Sequence, residues 1–163
     1  MTDNPAVSRL SGEDVHEILY DVAADVLEQF AFMFLAPVES GLAPLRGRMF
    51  LHAGIKFSGP FSGWLSLSAA PSFCSLLAAN VLGMEPDELT PEHAEDALKE
   101  LVNVICGELL VALAGKAAIF DLSVPELKRI STADCQAAAA LPESLAVMVD
   151  EEPLIIASGL KTT

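Results

Sequence analysis

The stretch 96-DALKELVNVICGELL-110 has the residue spacing of an amphipathic helix. Its large apolar residues recur at intervals of three and four positions: Leu98, Leu101, Ile105 and Leu109. Because an α-helix has about 3.6 residues per turn, this spacing places them on one side, where they can pack against a core. The same stretch contains Asn103 and Gly107, and Gly costs about 1 kcal/mol relative to Ala in a helix interior. A role outside the helix itself would explain why these two residues are present.

Four positions of this helix form a second face, opposite the apolar side: Asp96, Glu100, Asn103 and Gly107. At about 100° of turn per residue they fall within a sector of about 60°. Two carboxylates and a carboxamide beside bare backbone suit a surface on which another protein lies closely. Two simpler explanations stay open: acidic residues are common on solvated helix faces, and a hydrogen bond from Asn103 to a loop would also account for that residue.

Three apolar-periodic runs predict helices, and their ends carry helix-capping signals. The runs are about 15–35, 71–83 and about 91–115. Ser11 is followed three residues later by Asp14, which is typical of a helix start. Thr90 is a suitable N-cap residue, and Pro91 suits the first helical position. The first and third helices are therefore expected to be long, and the second short.

Alternation of apolar and polar residues predicts two β-hairpins. The alternating stretches are 46–59, 61–69 and 145–160. Gly and Pro in 57–63 supply the first turn, and Asp150 to Pro153 are expected to form the second. The stretch 120–130 predicts a short strand and a loop. The element order is thus long helix, hairpin, short helix, long helix, hairpin.

That order predicts an α+β fold made of internally duplicated helix-plus-hairpin units. The two long helices would pack on one face of a largely antiparallel sheet. The length of 163 residues suits one domain. We expect a polar N-terminal lead-in at 1–12 and a single domain at 13–163.

The charge balance excludes several classes of partner. With 23 acidic against 9 basic residues, the formal net charge is −14. The chain therefore lacks the basic face that nucleic-acid binding needs, and it has no basic amphipathic helix for an anionic membrane. The apolar segment 101–120 is interrupted by Glu108 and Lys116, which disfavours insertion into a bilayer. We expect no nucleic acid and no membrane among its partners.

The cysteines and histidines give no sign of a metal or disulfide site. Cys74, Cys106 and Cys135 are an odd number, widely spaced, without a CxxC pair. The N-terminus has no secretory signal, so a cytoplasmic location is expected. His93 lies one turn before Asp96 and could face the same side, although a solvated histidine near a helix start is the simpler interpretation.

The pattern Asp96-x3-Glu100-x2-Asn103, followed by Gly107, resembles the active-site helix of the CheC/CheX/FliY family of chemotaxis phosphatases. The segment FSGWLSLSAAPSFCSLLAANVLGM is similar to that family's Gly-containing strand and the helix after it, which ends in Leu-Gly. The helix-hairpin duplication also fits the family's CheC-like fold. The resemblance covers about residues 13–160.

The resemblance implies a function and assigns roles to residues. Family members dephosphorylate the aspartyl phosphate of CheY-type response regulators, in chemotaxis or two-component signalling. Glu100 and Asn103 would be catalytic: Asn103 would hold an in-line water, and Glu100 would pair with the regulator's lysine. Asp96 and Gly107 would contact the partner. The chain itself would bind no cofactor or metal, and the Mg²⁺ would be on the phosphorylated regulator.

Departures from the family motif indicate which type of family member this chain resembles. Two-site members carry the motif on both long helices, but alignment of the two helices here places Ala24 on Asp96 and Ala31 on Asn103. It also places Leu35 on Gly107. Glu28, which aligns with Glu100, is then the one motif residue that the first helix keeps. This single-site pattern resembles the CheX-like type, for which the family implies a homodimer.

Two alternatives to a phosphatase stay open. One is a non-catalytic CheC-like module that binds a response regulator or a flagellar or receptor component. The other is a structural homodimerisation domain, for which the polar helix face would be dispensable. Asn103 discriminates between them and the enzyme, since docking can survive its loss and hydrolysis should not.

Overall fold

A computed structural model describes residues 10–38, 49–142 and 144–161. In chain order the elements are α1 (Gly12–Ala31), β1 (Leu35–Pro37), β2 (Phe50–Ser58), β3 (Ser62–Ala69), α2 (Pro71–Leu82), a 3-10 helix (Pro86–Glu88), α3 (Pro91–Ala114), β4 (Asp121–Leu122), β5 (Glu126–Ile130), α4 (Thr132–Ala139), β6 (Ser144–Val149) and β7 (Glu152–Lys161). The predicted α+β class is confirmed. Of the predicted lead-in and first strand, 1–9 and 46–48 lie outside the described residues.

One antiparallel sheet forms the centre of the fold. Its strand order is β1-β6-β7-β3-β2-β4, and β5 also pairs with β2. The two predicted hairpins are β2–β3 and β6–β7, and they meet at the central pair β3–β7. The second turn is tighter than predicted: Asp150 and Glu151 form it alone, both at positive φ, and Pro153 already lies in β7 opposite Met148.

The strand pairing ties the two halves of the duplication together. The strand β1, which follows the long helix α1, pairs with β6 of the second hairpin. The strand β5, which follows the long helix α3, pairs with β2 of the first hairpin. Each half therefore adds a strand to the hairpin of the other half. At both edges of the sheet, the outermost strand comes from the half that does not contain the hairpin it pairs with.

The core lies between the sheet and the helices α1, α2 and α3. Alternate residues of the strands point into it, among them Leu51 and Ile55 of β2 and Leu65 and Leu67 of β3. The unpredicted helix α4 packs on the opposite face of the sheet, where Cys135 contacts a small cluster with Phe50 and Ile155.

The first long helix ends earlier than its apolar periodicity predicts. Phe32 has φ 55° and ψ 36°, a left-handed conformation that stops the helix after Ala31 instead of near Leu35. The carbonyl of Ala31 accepts a hydrogen bond from Asn80 Nδ2 at 3.0 Å, and Met33 is fully buried. The chain then continues directly into β1. Among the described residues, no helix is long and apolar enough to span a bilayer.

Candidate functional site

The helix α3 begins and ends where the sequence predicts. Thr90 Oγ1 accepts a hydrogen bond from the backbone N–H of His93 at 3.3 Å, and the N–H of Thr90 donates to His93 Nδ1 at 3.0 Å. This reciprocal arrangement is a capping box with histidine as its third residue after the cap. His93 therefore has a structural explanation as a helix cap. Gly115, with φ 85°, ends the helix.

Burial fixes the rotation of α3 about its axis. Ten of its residues are buried against the core: Ala94, Ala97, Leu98, Leu101, Val102, Ile105, Cys106, Leu109, Leu110 and Leu113. The opposite side is left at the surface, and it carries all four residues of the predicted face. Asp96 and Glu100 are exposed, while Asn103 and Gly107 are half-buried. The structure thus brings these four positions together along one side of one helix.

The functional groups of this face make few contacts with the other described residues. Asp96 Oδ1 lies 3.3 Å from Lys99 Nζ, and the Asp96 side chain is 71% exposed. Within the described part of the chain, neither Glu100 nor Asn103 makes a hydrogen bond or an ion pair with another side chain or loop. A hydrogen bond from Asn103 to a described loop therefore does not account for that residue. Among the described residues, no group occupies the Asn103 carboxamide or the Glu100 carboxylate.

Gly107 is required neither by packing nor by backbone conformation. A Cβ atom built at this position would meet no heavy atom of the described residues within 4 Å, apart from its chain neighbours and the surrounding helix backbone. The residue has ordinary helical geometry, so a positive φ does not explain it either. Glycine nevertheless costs about 1 kcal/mol here relative to alanine. Close approach of another molecule to the helix backbone would account for that cost.

A groove between α1 and α3 runs beside this face and was not predicted. Its volume is about 370 Å³, and its lining includes Asp25 and Gln29 of α1 and Val104 and Glu108 of α3. Val104 and Glu108 each follow a residue of the predicted face directly. A protein seated on Asn103 would therefore also cover part of this groove. Polar residues one turn apart on α1 were the signal in the sequence that could have indicated it.

The corresponding positions on α1 do not form a second site. Glu28 is exposed, but Ala24 is half-buried and Ala31 is fully buried at the end of the helix. The proposed alignment of Leu35 with Gly107 is wrong, because the left-handed residue Phe32 ends α1 and Leu35 lies in β1. The motif is thus present on one long helix.

The thiols take no part in this surface. Burial raises the pKa of Cys74 to about 12 and the pKa values of Cys106 and Cys135 to about 11. All three are free and buried, so none is an activated nucleophile. Across residues 10–38, 49–142 and 144–161, no group of three or more His, Cys, Asp or Glu side chains is arranged to hold a metal ion.

Comparison with known proteins decides the family. Residues 51–146, which include α3 and its polar face, match the family described as the chemotaxis phosphatase CheX. The chain belongs to this family. The CheX-like resemblance found in the sequence is thereby confirmed. No curated protein matches the chain.

Solved structures of CheX proteins have the same fold. The chemotaxis protein CheX from Desulfovibrio desulfuricans superposes with a TM-score of 0.64 at 16% identity, covering 91% of this chain and 99% of that one. CheX from Vibrio vulnificus gives 0.65 at 17% identity, with 93% and 99% covered. The CheX in a CheX–CheY–BeF3–Mg complex from Borrelia burgdorferi gives 0.58 at 18% identity, with 91% and 98% covered. The CheC-like fold is therefore shown over most of the chain.

Proposed function

We propose that this chain is a phosphatase that hydrolyses the aspartyl phosphate of a CheY-type response regulator. One observation carries the proposal: on an exposed helix face of a CheX-family chain, Glu100 and Asn103 have no partner among the described residues. A surface carboxamide with unused hydrogen-bonding capacity can hold a reactant from a second protein. Asp96 and Gly107 lie on the same face and would belong to the contact area.

The reaction requires this chain mainly to position the attacking water. In hydrolysis of an acyl phosphate, a water oxygen bonds to phosphorus while the bond from phosphorus to the carboxylate oxygen breaks. Inorganic phosphate leaves, and the regulator's aspartate becomes a carboxylate again. The Asn103 carboxamide oxygen can accept a hydrogen bond from the attacking water and hold it in line without taking up a proton. The regulator's own Mg²⁺ and lysine supply the positive charge that the phosphoryl oxygens need.

Docking would be set by the other three residues of the face. The Glu100 carboxylate, one turn before Asn103, would form a charge-assisted hydrogen bond with the regulator's active-site lysine. Asp96 would contact the partner at the rim, and the bare backbone at Gly107 would let the regulator approach. The CheX–CheY complex with BeF3 and Mg from Borrelia burgdorferi supports a CheY-type partner for a protein of this fold. By family resemblance we also propose a cytoplasmic homodimer.

The test is the decay of a phosphorylated CheY-type regulator from the same organism. The wild-type chain should accelerate release of inorganic phosphate, and Asn103→Ala should reduce that acceleration about a hundredfold, which corresponds to about 3 kcal/mol. Glu100→Ala should first weaken binding of the regulator. Glu85→Gln, at an exposed position outside α3, serves as the control and should leave the rate unchanged.

Two results would contradict the proposal. If the wild-type chain binds the regulator without accelerating decay, the chain is a binding module. If it neither binds nor accelerates decay of any regulator of the organism, a structural dimerisation domain replaces the enzyme. Circular dichroism of each variant separates loss of the reaction from loss of the fold, and sedimentation velocity tests the homodimer.

A further inference from the structure

A second concave surface lies on the sheet face opposite α3. It has a volume of about 490 Å³, within the range of small-molecule sites, and the end of α4 forms one wall through Ala138 and Leu141. Since Leu51, Ala53 and Ile55 of β2 point into the core, the residues between and beside them point into this groove. They are His52, Gly54 and Lys56.

Glycines shape the floor of the groove. A Cβ atom at Gly54 would have its nearest contact, the Leu65 carbonyl oxygen, at 4.0 Å, so the missing side chain leaves open volume in the groove. Trp64 of β3 lies against the backbone of Gly159, where an added Cβ would collide with the indole ring. Trp64 is 36% exposed and lines the groove. The groove therefore has an aromatic side chain, Trp64, on one side and open volume above Gly54.

The groove concentrates positive charge in an acidic protein. The chain has 9 basic residues at a net charge of −14, yet Lys56 and Lys128 both line this one groove. Neither lysine forms an ion pair with another described residue. His52 lies beside Lys128 in the strand register, with Nδ1 2.8 Å from Ser68 Oγ, while Lys56 lies further along β2, beyond Gly54 and its register partner Glu126. Glu126 is the one acidic side chain in the described lining.

We propose that this groove binds an amphipathic organic anion. The ligand would be a carboxylate, sulfonate or phosphate on an apolar body the size of one or two aromatic rings. Its anionic group would pair with Lys56 and Lys128, and its apolar body would lie on Gly54 and against the Trp64 indole. The site is separate from the polar face of α3, because the sheet lies between them, and it does not depend on the proposed phosphatase activity.

The test uses 8-anilinonaphthalene-1-sulfonate, a fluorescent anion of this chemistry. Trp64 is the chain's one tryptophan, so energy transfer from its emission reports binding of the probe, and the groove variants below assign that binding to this groove. The wild-type chain should show saturable binding of one probe per chain. The double variant Lys56→Gln, Lys128→Gln should weaken binding about tenfold or more, and Gly54→Leu should weaken it by filling the floor. Lys116→Gln, an exposed lysine outside the groove, is the matched control.

Three outcomes would overturn the proposal. Equal binding of the neutral analogue N-phenyl-1-naphthylamine would show that charge plays no part. Binding unchanged by the lysine and glycine variants would place the probe elsewhere. The third outcome combines three results: no energy transfer, a dimer in sedimentation velocity, and Trp64 emission that acrylamide does not quench. Together they would mean that a second copy of the chain covers the groove. Asn103→Ala should bind the probe like the wild-type chain, so failure of the phosphatase and failure of this site are distinguishable.

Discussion

Gly107 lies well inside α3, where alanine would be the better helix former. Because a Cβ there meets no other described part of the chain within 4 Å, we predict that Gly107→Ala raises the free energy of unfolding by up to about 1 kcal/mol. A larger side chain should leave the fold intact but hold the regulator away from the helix, so Gly107→Leu should slow phosphate release.

Urea unfolding and the phosphate-decay assay together check both effects. Ala112→Leu, a substitution at an exposed position near the end of the same helix, controls for added bulk and should leave turnover unchanged. Wild-type turnover by Gly107→Leu would mean that the partner does not approach the backbone at this residue. A loss of stability in Gly107→Ala would mean that the helix is more tightly enclosed than the structure shows.

His52 gives a second prediction at the level of one residue. Burial lowers the pKa of His52, and the positive charge of Lys128 lowers it further. The folded state therefore binds a proton less readily than the unfolded state, whose histidine titrates near 6.5. As the pH falls below that value, the free energy of unfolding should decrease, and His52→Gln should reduce this decrease.

NMR titration of the His52 ring protons measures the pKa directly. Lys128→Gln removes the neighbouring charge and should move the pKa of His52 upward, whereas Lys116→Gln should have no effect. A bound anion in the groove should also raise it. A His52 pKa above 6.5 in the free protein would contradict both the burial and the charge argument.

At the level of the element, the start of α3 sets the position of the whole polar face. Thr90→Ala removes one half of the capping box and should lower the free energy of unfolding by about 1 kcal/mol. His93→Gln should retain most of the stability, since glutamine can also accept the hydrogen bond from the Thr90 backbone, and His93→Ala should not. Urea unfolding measures these differences.

The same variants separate capping from catalysis. If His93 acts as a cap, His93→Gln should dephosphorylate the regulator at the wild-type rate. A large loss of turnover in that stable variant would instead make the histidine part of the reaction.

The elements predicted from the sequence are those with local signals. The long helix α3 has caps at both ends and a continuous apolar stripe, and each main hairpin has its own alternation and turn. The elements missed depend on distant partners. The three-residue strand β1 exists because it pairs with β6, and α4 contains one buried residue, Cys135, in an alanine-rich run without periodicity. The early end of α1 depends on a non-glycine residue in a left-handed conformation, which composition does not indicate.

The candidate site likewise has features that the sequence predicts and features that depend on tertiary packing. Helix periodicity alone places Glu100, Asn103 and Gly107 on one face, because 3.6-residue spacing fixes their angles. The lack of a partner for Asn103 among described residues, and the groove beside Val104, follow from how α1 packs on α3. Tertiary contacts of this kind have no local signal.

At the level of the whole molecule, the crossed strand pairing makes the two halves interdependent. The short strands β1 and β5 each complete the other half's hairpin, and the central pair β3–β7 joins the hairpins themselves. Neither half has a closed core alone, since α1 and α3 pack on the same sheet face. We therefore expect the polar face of α3 and the groove behind the sheet to be supported by one cooperative unit.

The charge of the whole chain gives a last prediction, for its stability in salt. At −14 the folded state carries substantial self-repulsion, and the described residues contain only two ion pairs, Asp96 with Lys99 and Glu95 with Arg129. Both pairs are at the surface and contribute little. Between about 10 mM and about 300 mM NaCl the Debye length falls from about 30 Å to below 8 Å. This screening should weaken the charge repulsion more than the charge attraction. The thermal midpoint of unfolding should therefore rise by several degrees. Differential scanning calorimetry checks this, with an equal osmolality of glucose as the control for non-ionic effects. A midpoint that falls with added NaCl would mean that attractive charge pairs outweigh the net repulsion in the folded state.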